Sequence, residues 1–296
     1  MKQLTVLTPT YNRAELLELL YNSLCNQSCY EFDWLVVDDG STDNTKIIVE
    51  QWRQKSPFEI SLISKENGGK HTALNAGIKS IQTELTFIVD SDDILTPNAV
   101  EIILRYQDKY KDFTGICGYS FLRIFPDGNV NGKEFPKNEW VTSLIEARIN
   151  NNDANADKAE VYYTRVLKEY PFPEYPGEKF LGEDIVWVKM AKKYNMVHIN
   201  EKIYIGNYLE EGLTSNRRIH NILSPVGCMN RAKEYLMSDV KFRYKTKNMI
   251  QYIVYGKFAK VPIIGLIKDI DQKILFLLVL IPALFVYCKW KRTYVL

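Results

Sequence analysis

Short apolar runs, each closed by a polar cluster, recur along the first hundred residues. Leu4 to Thr8 leads into Pro-Thr-Tyr-Asn-Arg, and Trp34 to Val37 into Asp-Asp-Gly-Ser-Thr-Asp. Ile60 to Ile63 precedes Asn-Gly-Gly-Lys-His-Thr, and Leu85 to Val89 ends in Asp-Ser-Asp-Asp. Runs this short, apolar at every position, read as strands buried on both faces. Between them the apolar period changes to that of a helix. Ala14 to Asn26 carries Leu16, Leu17, Leu20 and Leu24 on one side, and Thr72 to Ile81 repeats the pattern. Ser41 to Asn44 offer N-caps for a helix running to about Lys55, and Pro97 is placed to open the next helix from its first turn. Strands alternating with helices predict an α/β fold with a mostly parallel sheet covered on both faces. Such sheets bind ligands at the carboxyl ends of their strands, so the four polar clusters are expected on one edge.

The alternation weakens after Gly115. Residues 150–157 read as a surface loop and 170–180 as an irregular, aromatic-rich segment. A helix is predicted from about Glu183, with Ile185, Val188 and Met190 on its apolar side. Beyond Arg217 the chain turns helical and basic, which suggests a catalytic-type domain over 1–216 and a helical C-terminal appendage over 217–296. Within the appendage, Ile274 to Cys288 is continuously apolar and is followed by Lys-Trp-Lys-Arg. That run reaches about 22 Å as a helix, short of a hydrocarbon core of about 30 Å, and Pro282 interrupts it. Upstream, Lys241, Arg243, Lys245, Lys247, Lys257, Lys260 and Lys268 are interleaved with Tyr244, Tyr252, Tyr255 and Phe258. Mixed basic and aromatic residues suit an anionic bilayer, so membrane-surface association is expected through residues 241–292. The competing reading is a soluble helical subdomain with a buried core helix.

Composition narrows the classes. With 46% apolar residues in 296, a sizeable core can form, and a net charge of +2 gives no reason to expect nucleic acid. Cys25, Cys29, Cys117, Cys228 and Cys288 are odd in number and contain no CxxC pair, which fits a reducing compartment. Cys25 and Cys29 could face each other on one helix, but no His lies nearby to complete a zinc site. The N-terminus meets Pro9 before any long apolar segment, so a cytoplasmic location is expected, on the inner face of the cell membrane.

The polar clusters suggest chemistry. Asp90, Asp92 and Asp93 crowd charges that a divalent cation would offset, although a solvated turn in which Asp93 caps a helix is the plain alternative. Asp38 or Asp39 could accept the N3–H of a uracil ring, and Tyr11 offers a flat face for it. Lys70 can reach an anionic ligand as a point charge, whereas His71 reads as a satisfied polar residue. The loop is not a Walker A motif, because His71 separates Lys70 from Thr72. Glu183 and Asp184 open a helix, where acids also serve stability alone.

Taken together, "VLTPTYNR", "LVVDDGSTDNT", "ENGGKHTALNAGI", "VDSDDILTP" and "GEDIVW" resemble the family 2 glycosyltransferases of GT-A fold, over about residues 3–215. The resemblance implies an inverting transfer of one sugar from a nucleotide-sugar, UDP-linked by expectation, to a saccharide or lipid-linked saccharide in cell-surface polysaccharide synthesis. It makes Asp92 the ligand of Mg²⁺ or Mn²⁺, and Asp90 with Ser91 the ribose or diphosphate contact. Tyr11 and Asp39 would hold uracil, with Pro9, Thr10, Asn12, Arg13 and Asp38 shaping that pocket. Asp184 would be the general base, with Glu183 beside the acceptor. Where many relatives carry Arg before the Asn of the third motif, this chain has Leu74, and Lys70 is the residue that could compensate. Residues 207–218 resemble a loop that closes over donor, and a QxxRW pattern is absent, which argues for single additions. Two rivals stand beside this reading. A sugar-nucleotide pyrophosphorylase lacks support, since its N-terminal Gly-rich loop is missing. A non-catalytic sugar-nucleotide or carbohydrate binder on the same fold is opposed by the intact Asp92 and Asp184.

Overall fold

The computed structural model describes residues 2–151, 153, 156–206 and 217–294. The predicted alternation is present: β1 (Leu4–Thr10), α1 (Ala14–Cys25), β2 (Phe32–Asp38), α2 (Thr45–Arg53), β3 (Ile60–Ser64), α3 (Lys70–Ser80) and β4 (Leu85–Ile88). β1 pairs in parallel with β2 and β4, and β2 with β3. Every residue of β1 is buried, as expected of a strand covered on both faces. Helix packing on this sheet leaves no slack. A Cβ added at Gly77 of α3 would lie 2.4 Å from Leu7 Cδ1 and 3.1 Å from Val37 Cγ2.

Beyond β4 the sheet becomes mixed. β5 (Ile94–Leu95) is followed by α4 (Ala99–Tyr110), β6 (Ile116–Ile124), β7 (Trp140–Thr142), a π-helix (Ile145–Asn150), β8 (Lys158–Tyr163), α5 (Thr164–Glu169) and, later, β9 (Asn195–Ile205). The order is β3-β2-β1-β4-β8-β6-β9-β5, with β7 paired to β9. β8 runs antiparallel to both β4 and β6, while β6 and β9 are parallel. The α/β architecture with a mostly parallel first half is thus as expected. Two local expectations are corrected. Pro97 precedes α4, whose N-cap is Asn98, and does not sit in its first turn. Cys29 lies past the end of α1, so it shares no helix with Cys25.

The chain separates into two compact units, one comprising 1–171 with 193–207 and the other 172–192 with 208–296. The first holds the sheet. The second holds α6 (Asp184–Met190), α7 (Arg217–Leu223), α8 (Pro225–Leu236), α9 (Phe242–Phe258), α10 (Ile263–Lys268) and α11 (Lys273–Tyr294). A linear boundary at 216 therefore does not follow the packing, because 172–192 belong with the C-terminal helices. One reason is Glu178. Its carboxylate accepts the backbone N–H groups of Val226 and Gly227, capping the first turn of α8. The core of this unit gathers Leu236, Met249, Tyr252, Ile253, Leu266, Phe276, Val279 and Ala283. The apolar run from Ile274 to Cys288 lies within a longer helix: α11 has 22 residues and passes through Pro282, where an interruption was expected, without breaking.

Candidate active site

The four polar clusters do follow β1, β2, β3 and β4, and parallel pairing brings their ends to one edge of the sheet. Hydrogen bonds tie the first two loops together. Asn12 holds a left-handed backbone at φ 51°. Its amide donates to Ser41 Oγ, and its side-chain carbonyl accepts from the Thr42 N–H. Asp43 accepts from the N–H groups of Ala14 and Thr45, serving the first turns of α1 and α2 at once. Pro9 and Thr10 are buried beneath this junction, while Tyr11 is 46% exposed and presents its ring to solvent.

Asp38 and Asp39 take different roles. Asp38 accepts the Ser41 N–H and closes the turn. Asp39 is only 3% exposed, and both of its oxygens are shared. Oδ1 takes the Lys65 ammonium at 2.7 Å and the Gly68 N–H, and Oδ2 takes the Gly69 N–H and the Asn67 amide. One buried carboxylate therefore shapes the whole Asn-Gly-Gly loop that leads into α3. Gly69, the N-cap of α3, sits at φ 96°, a conformation that favours glycine. Lys65, the first residue after β3, went unnoticed in the sequence because no motif contains it.

At the end of β4, ligand oxygens of Asp90, Asp92 and Asp93 lie within 4.8 Å of one another, a donor set able to hold a hard divalent cation. Cations of the chain already attend each carboxylate. Lys70 Nζ lies 2.5 Å from Asp90, and Arg13 Nη1 lies 2.5 Å from Asp92. The third carboxylate is held differently. Asp93 accepts from Arg123 at 3.0 Å and from the Tyr204 hydroxyl at 2.7 Å, and Tyr204 also accepts the Asp90 N–H. The expectation that Asp93 might cap the next helix gives way to this anchoring role. Arg123, at the end of β6, and Tyr204, on β9, are the residues that anchor Asp93, and the weak patterning past Gly115 concealed them. Burial and the neighbouring Asp90 push Asp93 up to about 7, against the pull of Arg123 and Tyr204. The atoms packed around Asp90 would raise it too, but Lys70 foremost, with Arg123 and Arg13, overcomes this and holds it below the usual carboxylate range. Ser91 is buried between these acids.

In the second unit, Asp184 opens α6 with Glu183 at its N-cap. Arg231 of α8 grips both oxygens of Asp184 at 2.5 Å each, and the Tyr235 hydroxyl donates at 2.7 Å. Burial alone would raise this carboxyl. Arg231, then Tyr235 and Arg217, outweigh it and bring it down to about 2. Residues 207–216 of the expected donor-closing loop lie outside the described residues.

The family described as Glycosyl transferase family 2 matches residues 5–171, more than half of the chain and all four polar clusters. This chain belongs to glycosyl transferase family 2. Among curated members, the poly(ribitol-phosphate) beta-N-acetylglucosaminyltransferase TarS of Staphylococcus aureus (strain Mu50 / ATCC 700699) is 24% identical over 265 residues, covering 86% of this chain and 44% of its own. Chondroitin synthase of Pasteurella multocida (strain Pm70) is 32% identical over 147 residues, covering 48% of this chain and 15% of its own. The chain thus spans less than half the length of these relatives. Among solved structures, S. aureus TarS 1–349 in complex with UDP-GlcNAc superposes with a TM-score of 0.59 at 22% identity, over 97% of this chain and 81% of that one. The mannosyltransferase PcManGT of Pyrobaculum calidifontis, in complex with GDP-Man and Mn²⁺, gives 0.58 at 16% identity, over 99% and 83%. The fold is that of these glycosyltransferases, as the GT-A resemblance predicted.

Proposed function

We propose that this chain is an inverting, metal-assisted glycosyltransferase. It moves a single sugar from a UDP-sugar to a hydroxyl of a saccharide or lipid-linked saccharide, in cell-surface polysaccharide synthesis on the cytoplasmic face of the membrane. The observation that carries this reading is the Asp90, Asp92 and Asp93 cluster at the carboxyl edge, with Lys70 and Arg13 already drawn to it. Asp92 would hold Mn²⁺ or Mg²⁺ there, and the ion would supply Lewis-acid neutralisation of charge on the departing diphosphate. The chain's own cations add to it, as Arg13 and Lys70 exchange their carboxylate partners for diphosphate oxygens. Tyr11 stacks on the uracil, and the uracil N3–H takes an Asp39 acceptor position now filled by Lys65 or Asn67. Asp90 and Ser91 contact the ribose or diphosphate, and Asp93 stays anchored on Arg123 and Tyr204.

Asp184 removes the acceptor's proton. A carboxylate held near pKa 2 is a weak base, so the acceptor hydroxyl must replace Arg231 or Tyr235 on one oxygen before transfer. The same clamp is the one observation that favours the rival binder, in which Asp184 is structural. UDP-GlcNAc, found in the TarS complex, is the first donor to test. Radiolabelled UDP-sugars are supplied with Mn²⁺, and release of sugar to water or acceptor is measured. The transferase reading expects turnover that Asp184→Asn abolishes while UDP affinity stays nearly intact. Equal loss of both in that variant removes the base assignment, and no turnover with any donor favours the binder.

A further inference from the structure

α11 is apolar on every side, yet only one side is covered. Phe276, Val279 and Ala283 are buried in the cluster that contains Met249, Tyr252 and Ile253 of α9. At about 100° per residue, Ile274, Leu278, Ile281 and Phe285 point the opposite way, with Leu277 beside them. These five side chains are 59–80% exposed. Their stripe runs about 17 Å along the helix. Isolated apolar residues on a surface are ordinary, but a continuous row of large ones marks an interaction face.

Charge indicates what that face meets. Lys273 precedes the stripe, Lys289, Lys291 and Arg292 follow it, all four are exposed, and α11 contains no acid. Residues 241–296 hold eleven Lys and Arg against two Asp and Glu, a net +9, which leaves −7 on residues 1–240. We infer that α11 lies in the plane of an anionic bilayer surface, with the Ile274–Phe285 stripe in the headgroup–acyl boundary and its basic ends on lipid phosphates. A second copy of the chain is a poor occupant, because pairing these faces would bring two strongly positive regions together.

Length and composition alone would also let α11 cross a bilayer. The packing opposes that. Stripping α9 from α11 would open the core of this unit. Carrying α9 along would take Arg243, Lys245, Lys247 and Lys257 toward hydrocarbon, where Lys and Arg are strongly disfavoured. An in-plane helix keeps its covered side on α9 and gives only the bare side to lipid.

The test needs neither donor nor acceptor, so its outcome is independent of the transferase reading. The full chain is mixed with phosphatidylcholine vesicles, with and without phosphatidylglycerol, and vesicle flotation is measured. Wild type should float with the anionic vesicles and be released by alkaline carbonate. Ile281→Gln with Phe285→Gln should lose flotation while melting like wild type, since both side chains are exposed. Lys289→Gln, Lys291→Gln and Arg292→Gln together should weaken anionic-vesicle binding about a hundredfold, at roughly five-fold per cation. The neutral-vesicle result should not change. Three results overturn the inference: no flotation of wild type, retention through carbonate as a spanning helix would show, or a solution dimer that the Ile281/Phe285 variant splits without any vesicle binding.

Discussion

Replacing Arg231 with Met tests whether Asp184 is the proton acceptor. In the wild type both oxygens of Asp184 are gripped by Arg231, and the carboxyl is brought down to about 2. Charge centres about 4 Å apart attract by about 4 kcal/mol at an effective dielectric of 20, which is about 3 pKa units. Removing the guanidinium should therefore raise Asp184 to about 5, with Tyr235 still donating. The profile of kcat/KM against pH reports the free enzyme. Wild type should show no acid limb from Asp184 down to pH values where folding fails, because that limb lies near 2. Arg231→Met should show a new acid limb near 5, with activity retained at neutral pH. Arg231→Lys, which keeps a cation, should fall between the two. A folded, active Arg231→Met enzyme with an unshifted profile would refute the reasoning, because the group that must be ionised would then not be Asp184.

Other consequences are open to measurement. His198 is buried on β9 and is lowered from 6.5 to about 3, chiefly by burial, against its contact with the Thr142 carbonyl. The unfolded chain binds that proton and the folded one does not. Stability is full above 6.5 and falls toward 3 by about 1.4 kcal/mol per pH unit. Asp93, raised in the fold, contributes the opposite slope below about 7, but it cancels when wild type and His198→Gln are compared by urea unfolding. The variant should lose about 2 kcal/mol less than wild type between pH 6.5 and 5, and equal slopes would exclude His198. Gly77→Ala should cost about 1–3 kcal/mol in the same assay, because its Cβ overlaps Leu7, and a neutral result would show that α3 can shift. Lys65→Met leaves Asp39 without its ammonium and should cost about 1–3 kcal/mol; unchanged calorimetric melting would show that the loop holds without it.

The first half of the chain was legible because its physics is local. A strand buried on both faces must be apolar at each position, and parallel pairing sends every following polar cluster to the same edge. Hence the loops bearing Tyr11, Asp39, Lys70 and Asp92 could be placed together from patterning alone. Partners supplied from far along the chain were not legible. Arg123 and Tyr204 reach Asp93 from strands whose mixed pairing breaks the alternation. Arg231 reaches Asp184 across 47 residues, and Glu178 caps α8 from an irregular segment with no periodicity. Asp39 read as a base-reading carboxylate, and the structure adds that it organises the Asn-Gly-Gly loop, a role visible only once two backbone N–H groups converge on it. Pro282 read as an interruption of the apolar run, yet it lies exposed within α11 and the helix continues through it.

The central claim is that acidic groups at the end of β4 hold a divalent cation and, through it, a nucleoside diphosphate. Isothermal titration of UDP into the full chain, once with Mn²⁺ and once with EDTA, addresses it most directly. The account predicts binding that depends on Mn²⁺, with Asp92→Asn reducing the metal-supported affinity at least about tenfold, or 1.4 kcal/mol. UDP binding of equal strength with and without the metal, untouched by Asp92→Asn, would contradict it.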